Sequence, residues 1–137
     1  MSDDKQKLVA TKPLKFKTPI VQERFANMTQ TAQKLAKEMS DWAFYNYNVE
    51  LVFTSTWTLA AEDMKLGRVS DSHRTGRAFD IRTKGLKEDF KKAFCEYFNA
   101  LYQKSLGAQT KDGPMLIVDK PHGSGPHWHV QVRRGVK

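Results

Sequence analysis

The chain has 137 residues, 39% of them hydrophobic, with a formal net charge of +8 and one cysteine. That length suits a single domain, which needs no staples; a lone Cys95 excludes an internal disulfide and any multi-thiolate metal site. No run reaches the roughly 18 apolar residues of a membrane-spanning helix, and the charge points to anionic partners: nucleic acid, membrane surface or bacterial wall polymers.

Residues 1–17 are polar and Lys-rich, with Pro13 breaking any regular element. They predict a flexible basic arm, with Leu14 and Phe16 as apolar pins, ahead of a domain over residues 18–137. The opening MSDDKQKLVATKPLKFK carries charge throughout and lacks the apolar centre of a secretory signal. The expected location is therefore the cytoplasm of the producing cell.

Thr18-Pro19 reads as a helix start, a capping hydroxyl followed by proline at the first helical position. Phe25, Met28, Ala32, Leu35, Ala36, Met39 and Trp42 recur at three- and four-residue steps, which predicts one helix ending between Tyr45 and Asn48. Val49 to Trp57 is β-branched and aromatic and predicts a strand. Thr58 to Leu66 reads as a short helix closed by Gly67, residues 68–76 as a polar loop, and Arg77 to Arg82 as a strand. On that strand Ala78 and Asp80 face away from Phe79 and Ile81. Leu86 to Leu106 is a second long helix with Gly107 in the place of a left-handed cap, and Cys95 within it reads as a small buried residue. Met115 to Val118, a Pro/Gly-rich turn over 119–126 and a strand over His127 to Val132 complete the chain. The layout predicts an α+β domain: a small, mostly antiparallel sheet with helices packed on one side. Trp57 and Trp128 are expected in its core.

All four histidines lie in two segments, SDSHRTGRAFDI (70–81) and PHGSGPHWHVQV (121–132). Period-two alternation puts His127 and His129 on one face of a strand and Trp128 on the other. One imidazole of such a pair can ligate a metal while the other stands beside the reacting water. His73 on the loop and Asp80 on the next strand can converge, with Gly76 allowing the turn and Ala78 leaving space. Two imidazoles, one carboxylate and an open position make a composition typical of catalytic zinc. A loop histidine beside a polar strand face fits the same spacing, so spacing alone leaves both readings open.

The stretch SDSHRTGRAFDI resembles the His-x-x-Gly-x-Ala-x-Asp signature of the D-alanyl-D-alanine carboxypeptidase and L-alanyl-D-glutamate endopeptidase families. GPHWHVQV is similar to their closing His-x-His strand, and VELVFTSTWT to the strand before the first motif. These families belong to the lysostaphin-type and DD-peptidase metalloenzymes, a group that includes many phage endolysins. The resemblance spans about residues 20–133, with its identities concentrated in the paired motifs. It implies one zinc ion (Zn2+) per chain held by His73, Asp80 and His129, with His127 as general base. The implied activity is hydrolysis of an amide in the peptide part of bacterial peptidoglycan.

The chain departs from the family pattern twice. Pro126 stands three residues before the last ligand, where many carboxypeptidase-type members carry an acidic base, which leaves His127 or an acid from elsewhere such as Asp119. Thr58 stands where members often have an arginine for the substrate carboxylate. Arg74, Ser72 and His122 are the candidate substrate-binding residues, with Arg68 and Arg77 as alternatives. The expected partners are the stem peptide and anionic wall polymers, with the protein a monomer. A wall- or virion-associated binding module that keeps the fold is the rival reading. A nucleic-acid-binding domain is a weaker one, since the sequence has no zinc-finger spacing and no basic recognition helix.

Overall fold

The structure, a computed structural model, describes residues 13–67, 70–120 and 126–137. Most of the predicted arm, Arg68, His122 and most of the turn before the closing strand lie outside the described residues.

Lys15–Phe16, inside the stretch read as an arm, form strand β1, and Phe16 packs its ring on Phe25 and Phe53. The single helix expected from Thr18 onward is two, α1 (Pro19–Phe25) and α2 (Gln30–Tyr47). Thr18 caps α1 by accepting from the Val21 amide, and Thr29 caps α2 by accepting from Ala32. Thr29 is extended (φ −62°, ψ 156°), so the helix cannot run through it. The apolar stripe still crosses the break, because Met28 is buried in the same cluster as Ala32 and Leu35. Asn48, in the left-handed region, ends α2.

Strand β2 (Val52–Ser55), helix α3 (Ala60–Lys65) and strand β3 (Ala78–Arg82) follow. Helix α4 is Glu88–Tyr102, inside the predicted bounds at both ends. Gly107 is not a left-handed cap; its φ is not positive. Its role is close approach, since a Cβ there would sit 2.5 Å from the Gln103 carbonyl oxygen and 2.9 Å from Met115 C. Beyond it, β4 (Ala108–Thr110) and β5 (Gly113–Met115) form a separate hairpin, and β6 (Ile117–Lys120) and β7 (His127–Gln131) complete the main sheet. The single strand expected over 115–118 is thus the end of β5 and the start of β6.

The α+β class holds, in one compact domain. The main sheet is mixed, in the order β1-β2-β3-β7-β6, with β1 parallel to β2 and the remaining neighbours antiparallel. Cross-strand partners share a face, so Phe79 with Val130 and Ile81 with Trp128 line one side. That side carries the core: Leu35, Met39 and Ala43 of α2 and Phe90, Phe94 and Phe98 of α4 pack there. Phe94 stacks on Trp128 at 4.6 Å, and Trp42 ties α2 to α4 by stacking on Tyr97 at 5.0 Å. Each fully buried side chain there, such as Phe94 or Trp128, contributes roughly 1.5–3 kcal/mol. The opposite face presents Ala78 with Gln131, Asp80 with His129 and Arg82 with His127. The two long helices therefore hold the sheet from behind and leave this polar face for chemistry. Among the described residues, no helix is long and apolar enough to cross a membrane.

Candidate metal centre and its cleft

Asp80 is nearly central in the sheet, paired with Ser55 of β2 on one side and His129 of β7 on the other. His73 reaches it from the turn over residues 72–76. Two features hold that turn. Gly76 adopts φ +74°, and a Cβ there would lie 2.8 Å from the Asn27 carbonyl oxygen, so only glycine fits. Its own carbonyl accepts the Thr29 amide at 2.9 Å, which fastens the His73 turn to the start of α2.

The buried His73 ring donates Nδ1–H to the Thr56 carbonyl at 2.8 Å. A carbonyl can only accept, so the proton of the neutral ring is fixed on Nδ1 and the lone pair on Nε2. That Nε2 lies 3.3 Å from Asp80 Oδ1 yet makes no hydrogen bond. His129 Nδ1 lies 3.1 Å from the same oxygen, and its Nε2 lies 2.9 Å from Gln131 Oε1. Among the described residues, His73, Asp80 and His129 are the group able to hold a metal ion, with their ligand atoms all within 4.8 Å of one another.

The donor set fits such an ion. Ligands about 2.0–2.1 Å from a tetrahedral zinc stand roughly 3.3 Å apart, close to the two nitrogen–oxygen separations here. A lone pair buried against a carboxylate oxygen is repulsive unless a cation or proton lies between them. Burial opposes ionisation of Asp80, but the hydrogen bond with His129 and the adjoining His73 ring outweigh it and hold its carboxyl far below the usual carboxylate range. The carboxylate is therefore ionised and available as a ligand.

His127 Nε2 lies 3.9 Å from Asp80 Oδ2, beside the metal group without belonging to it. Asp80 and His127 open on a cleft of about 580 Å³, bordered by Ile20, Val21 and Arg24 of α1, Glu62 and Lys65 of α3, and Trp57. The short helices thus flank the chemistry while the long ones form the core. Trp57, expected in the core, is partly buried against it and also forms a wall of this cleft, with the Arg24 guanidinium 5.8 Å from its ring centroid. Arg82, Lys17, Lys65 and Lys84 also line it and make no ion pair among the described residues. The cleft consequently attracts anions.

The candidate substrate-binding residues fall elsewhere. Arg74 pairs with the buried Asp63 at 3.2 Å and faces a second cavity, shared with Arg77, Arg133 and Arg134. Arg77 is spent on the Val132 carbonyl, Thr75 and Asp71. Ser72 is buried and bonded to Ser70, and Thr58 donates to Asp63 at 2.7 Å, tying α3 to the end of β2. Asp119 is the register partner of Trp128, on the helix-covered side near Lys91 and Cys95, so it cannot act as a base at Asp80. Sequence reasoning missed Arg82 and Gln131. Both lie two residues from a ligand on the same strand, and the alternation that pairs His127 with His129 would have found them.

No protein-family model, curated protein or solved structure matches the chain. What the geometry establishes is a His73–Asp80–His129 group able to hold a metal ion, on the open face of an α+β sheet.

Proposed function

We propose that this protein is a zinc-dependent peptidase that hydrolyses an amide in the peptide part of bacterial peptidoglycan. Its role is that of a phage endolysin, made in the cytoplasm of the producing cell and acting on the wall after release. The observation that carries the reading is the orphaned Nε2 of His73, buried beside Asp80 Oδ1 at the edge of an anion-attracting cleft. Two nitrogens and one carboxylate form an open site, suited to catalysis more than to a closed structural role. Bound there, zinc supplies a Lewis acid and lowers the pKa of a ligating water toward roughly 7.

The remaining work falls to the chain. His127, on the cleft side of Asp80, takes a proton from the attacking water and returns it to the leaving amine. Pro126 removes the acidic alternative at the preceding position, and Asp119 faces the wrong way. Arg82 and the cleft lysines draw in a stem peptide, which bears several carboxylates, and the walls from α1 and α3 flank it on both sides.

A binding module is the second reading, favoured by Thr58: its hydroxyl is committed to Asp63, leaving no strand-end arginine for a substrate carboxylate. Metal content of the purified protein, paired with turbidity loss of a peptidoglycan suspension before and after chelation, separates the two. About one zinc per chain, with clearing that chelation stops and zinc restores, is the expected result. Zinc with sedimentation on walls but no clearing favours the binder. No zinc at all removes the ground for either form of the metal centre.

A further inference from the structure

We infer that Gln131 is a positioning residue for the metal centre: its side-chain carbonyl selects the tautomer of His129 that offers Nδ1 to the ion. The inference rests on the zinc reading above and deepens it.

Gln131 follows His129 by two residues on β7, so both side chains project from the open face of the sheet. Its cross-strand partner is Ala78, which has nothing beyond Cβ, so the amide can lie along the strand toward the imidazole. Gln131 Oε1 reaches His129 Nε2 at 2.9 Å, while Nδ1 on the other side of the ring lies 3.1 Å from Asp80 Oδ1. A neutral imidazole carries one proton. With Oε1 accepting at Nε2, that proton is held away from the centre and the Nδ1 lone pair joins His73 Nε2 and the Asp80 carboxylate.

The amide has two ends, and they dictate opposite outcomes. Turned over, its NH2 would donate to Nε2, the ring proton would move to Nδ1, and Nδ1 would donate to Asp80 instead of ligating. Both networks give Nε2 a partner, but only the first leaves three ligand atoms, and its Nδ1 lone pair beside Asp80 calls for a cation. Gln131 is therefore a two-position partner, and a bound metal would hold its carbonyl on His129, where Oε1 already lies. His73 has no such freedom, because a backbone carbonyl fixes its proton. The centre joins one rigid imidazole to one whose tautomer is set by an exchangeable amide.

The test measures zinc affinity by competition with a chromophoric chelator, and the His129 tautomer by 15N NMR of the zinc-loaded protein, in wild type, Gln131→Leu and Gln131→Glu. The expected result is a 10- to 100-fold weaker zinc Kd for Gln131→Leu. Gln131→Glu, which can only accept, should bind at least as tightly as wild type, and 0.5 M salt should not abolish its advantage over Gln131→Leu. His129 should be protonated at Nε2 in the loaded wild type. A folded Gln131→Leu with a zinc Kd within twofold of wild type overturns the inference and leaves the zinc centre standing. Should that variant not fold, Gln131→Glu decides: an Nδ1-protonated His129 in the loaded protein overturns it. A wild type that takes up no zinc overturns the metal reading and this inference with it.

Discussion

His73 gives its Nδ1 proton to the Thr56 carbonyl at 2.8 Å and turns an unbonded Nε2 toward Asp80 Oδ1 at 3.3 Å. A buried polar atom without a partner costs about 1–3 kcal/mol, and here it also faces an anionic oxygen. The metal-free fold thus stores an electrostatic penalty that a cation between the two atoms removes.

Zinc should accordingly stabilise the fold. At 100 times its dissociation constant a ligand adds about 2.7 kcal/mol, which for a domain of this size raises Tm by roughly 5–15 °C. Thermal melts with and without chelator measure the shift. His73→Ala, Asp80→Ala and His129→Ala should each lose it, together with stoichiometric zinc and wall clearing. A full shift retained in any of the three would remove that residue from the centre.

His127 is expected to behave differently. It lines the cleft beside Asp80 but lies outside the group of three ligands. His127→Ala should keep about one zinc per chain and the zinc-dependent Tm shift while kcat falls by roughly 10²–10⁴. If kcat is unchanged, the proton is carried by another group. If zinc is lost, His127 is a ligand.

Part of this was legible in the sequence because period-two and three-to-four-residue patterns are local. The stripes of α2 and α4, the strand bearing Asp80 and the shared face of His127 and His129 follow from spacing alone. The break between α1 and α2 did not, since Met28 continues the apolar stripe across it. Only the Thr29 cap reveals the new start, and a threonine within a helical pattern is a weak signal. The β4–β5 hairpin, but for Met115, lies outside the predicted elements although Asp112-Gly113, with φ +99° at the glycine, carries the turn chemistry. The destinations of Arg74 and Arg77 were out of reach, because Asp63 and the Val132 carbonyl are distant in sequence.

Gly76 connects fold to site and makes a sharp prediction. Alanine there meets both a positive φ and backbone atoms of Asn27, Met28 and Thr29 at 2.8, 3.0 and 3.2 Å. Neither clash can be relieved by rotating a side chain. Gly76→Ala should cost about 1–3 kcal/mol, read by denaturant unfolding, and weaken zinc binding because the displaced turn carries His73. Gly85, with φ +83° but open space where a methyl group would stand, is the control: Gly85→Ala should lose stability through φ alone and leave zinc affinity unchanged.

The contact between α2 and α4 carries a pH signature independent of the metal. Tyr102 donates its hydroxyl to Glu38 at 2.6 Å, and that hydrogen bond, with some burial and the carboxylate charge, pushes the phenol up to about 12. An unfolded tyrosine titrates near 10, so the folded state holds this proton more tightly. The stabilisation is therefore complete below about pH 10 and is lost as pH rises from there through the folded value near 12. Tyrosinate absorbance should show one of the four tyrosines titrating late. Tyr102→Phe should remove that late step, and Glu38→Gln should shift it down toward 10. Tyr102→Phe should also destabilise the protein at pH 8 by more than at pH 11.5, where the unfolded tyrosine is already ionised and most of the linked stabilisation is gone. Equal destabilisation at both values would mean that the hydroxyl bond contributes nothing and that the ring packing alone joins the two helices.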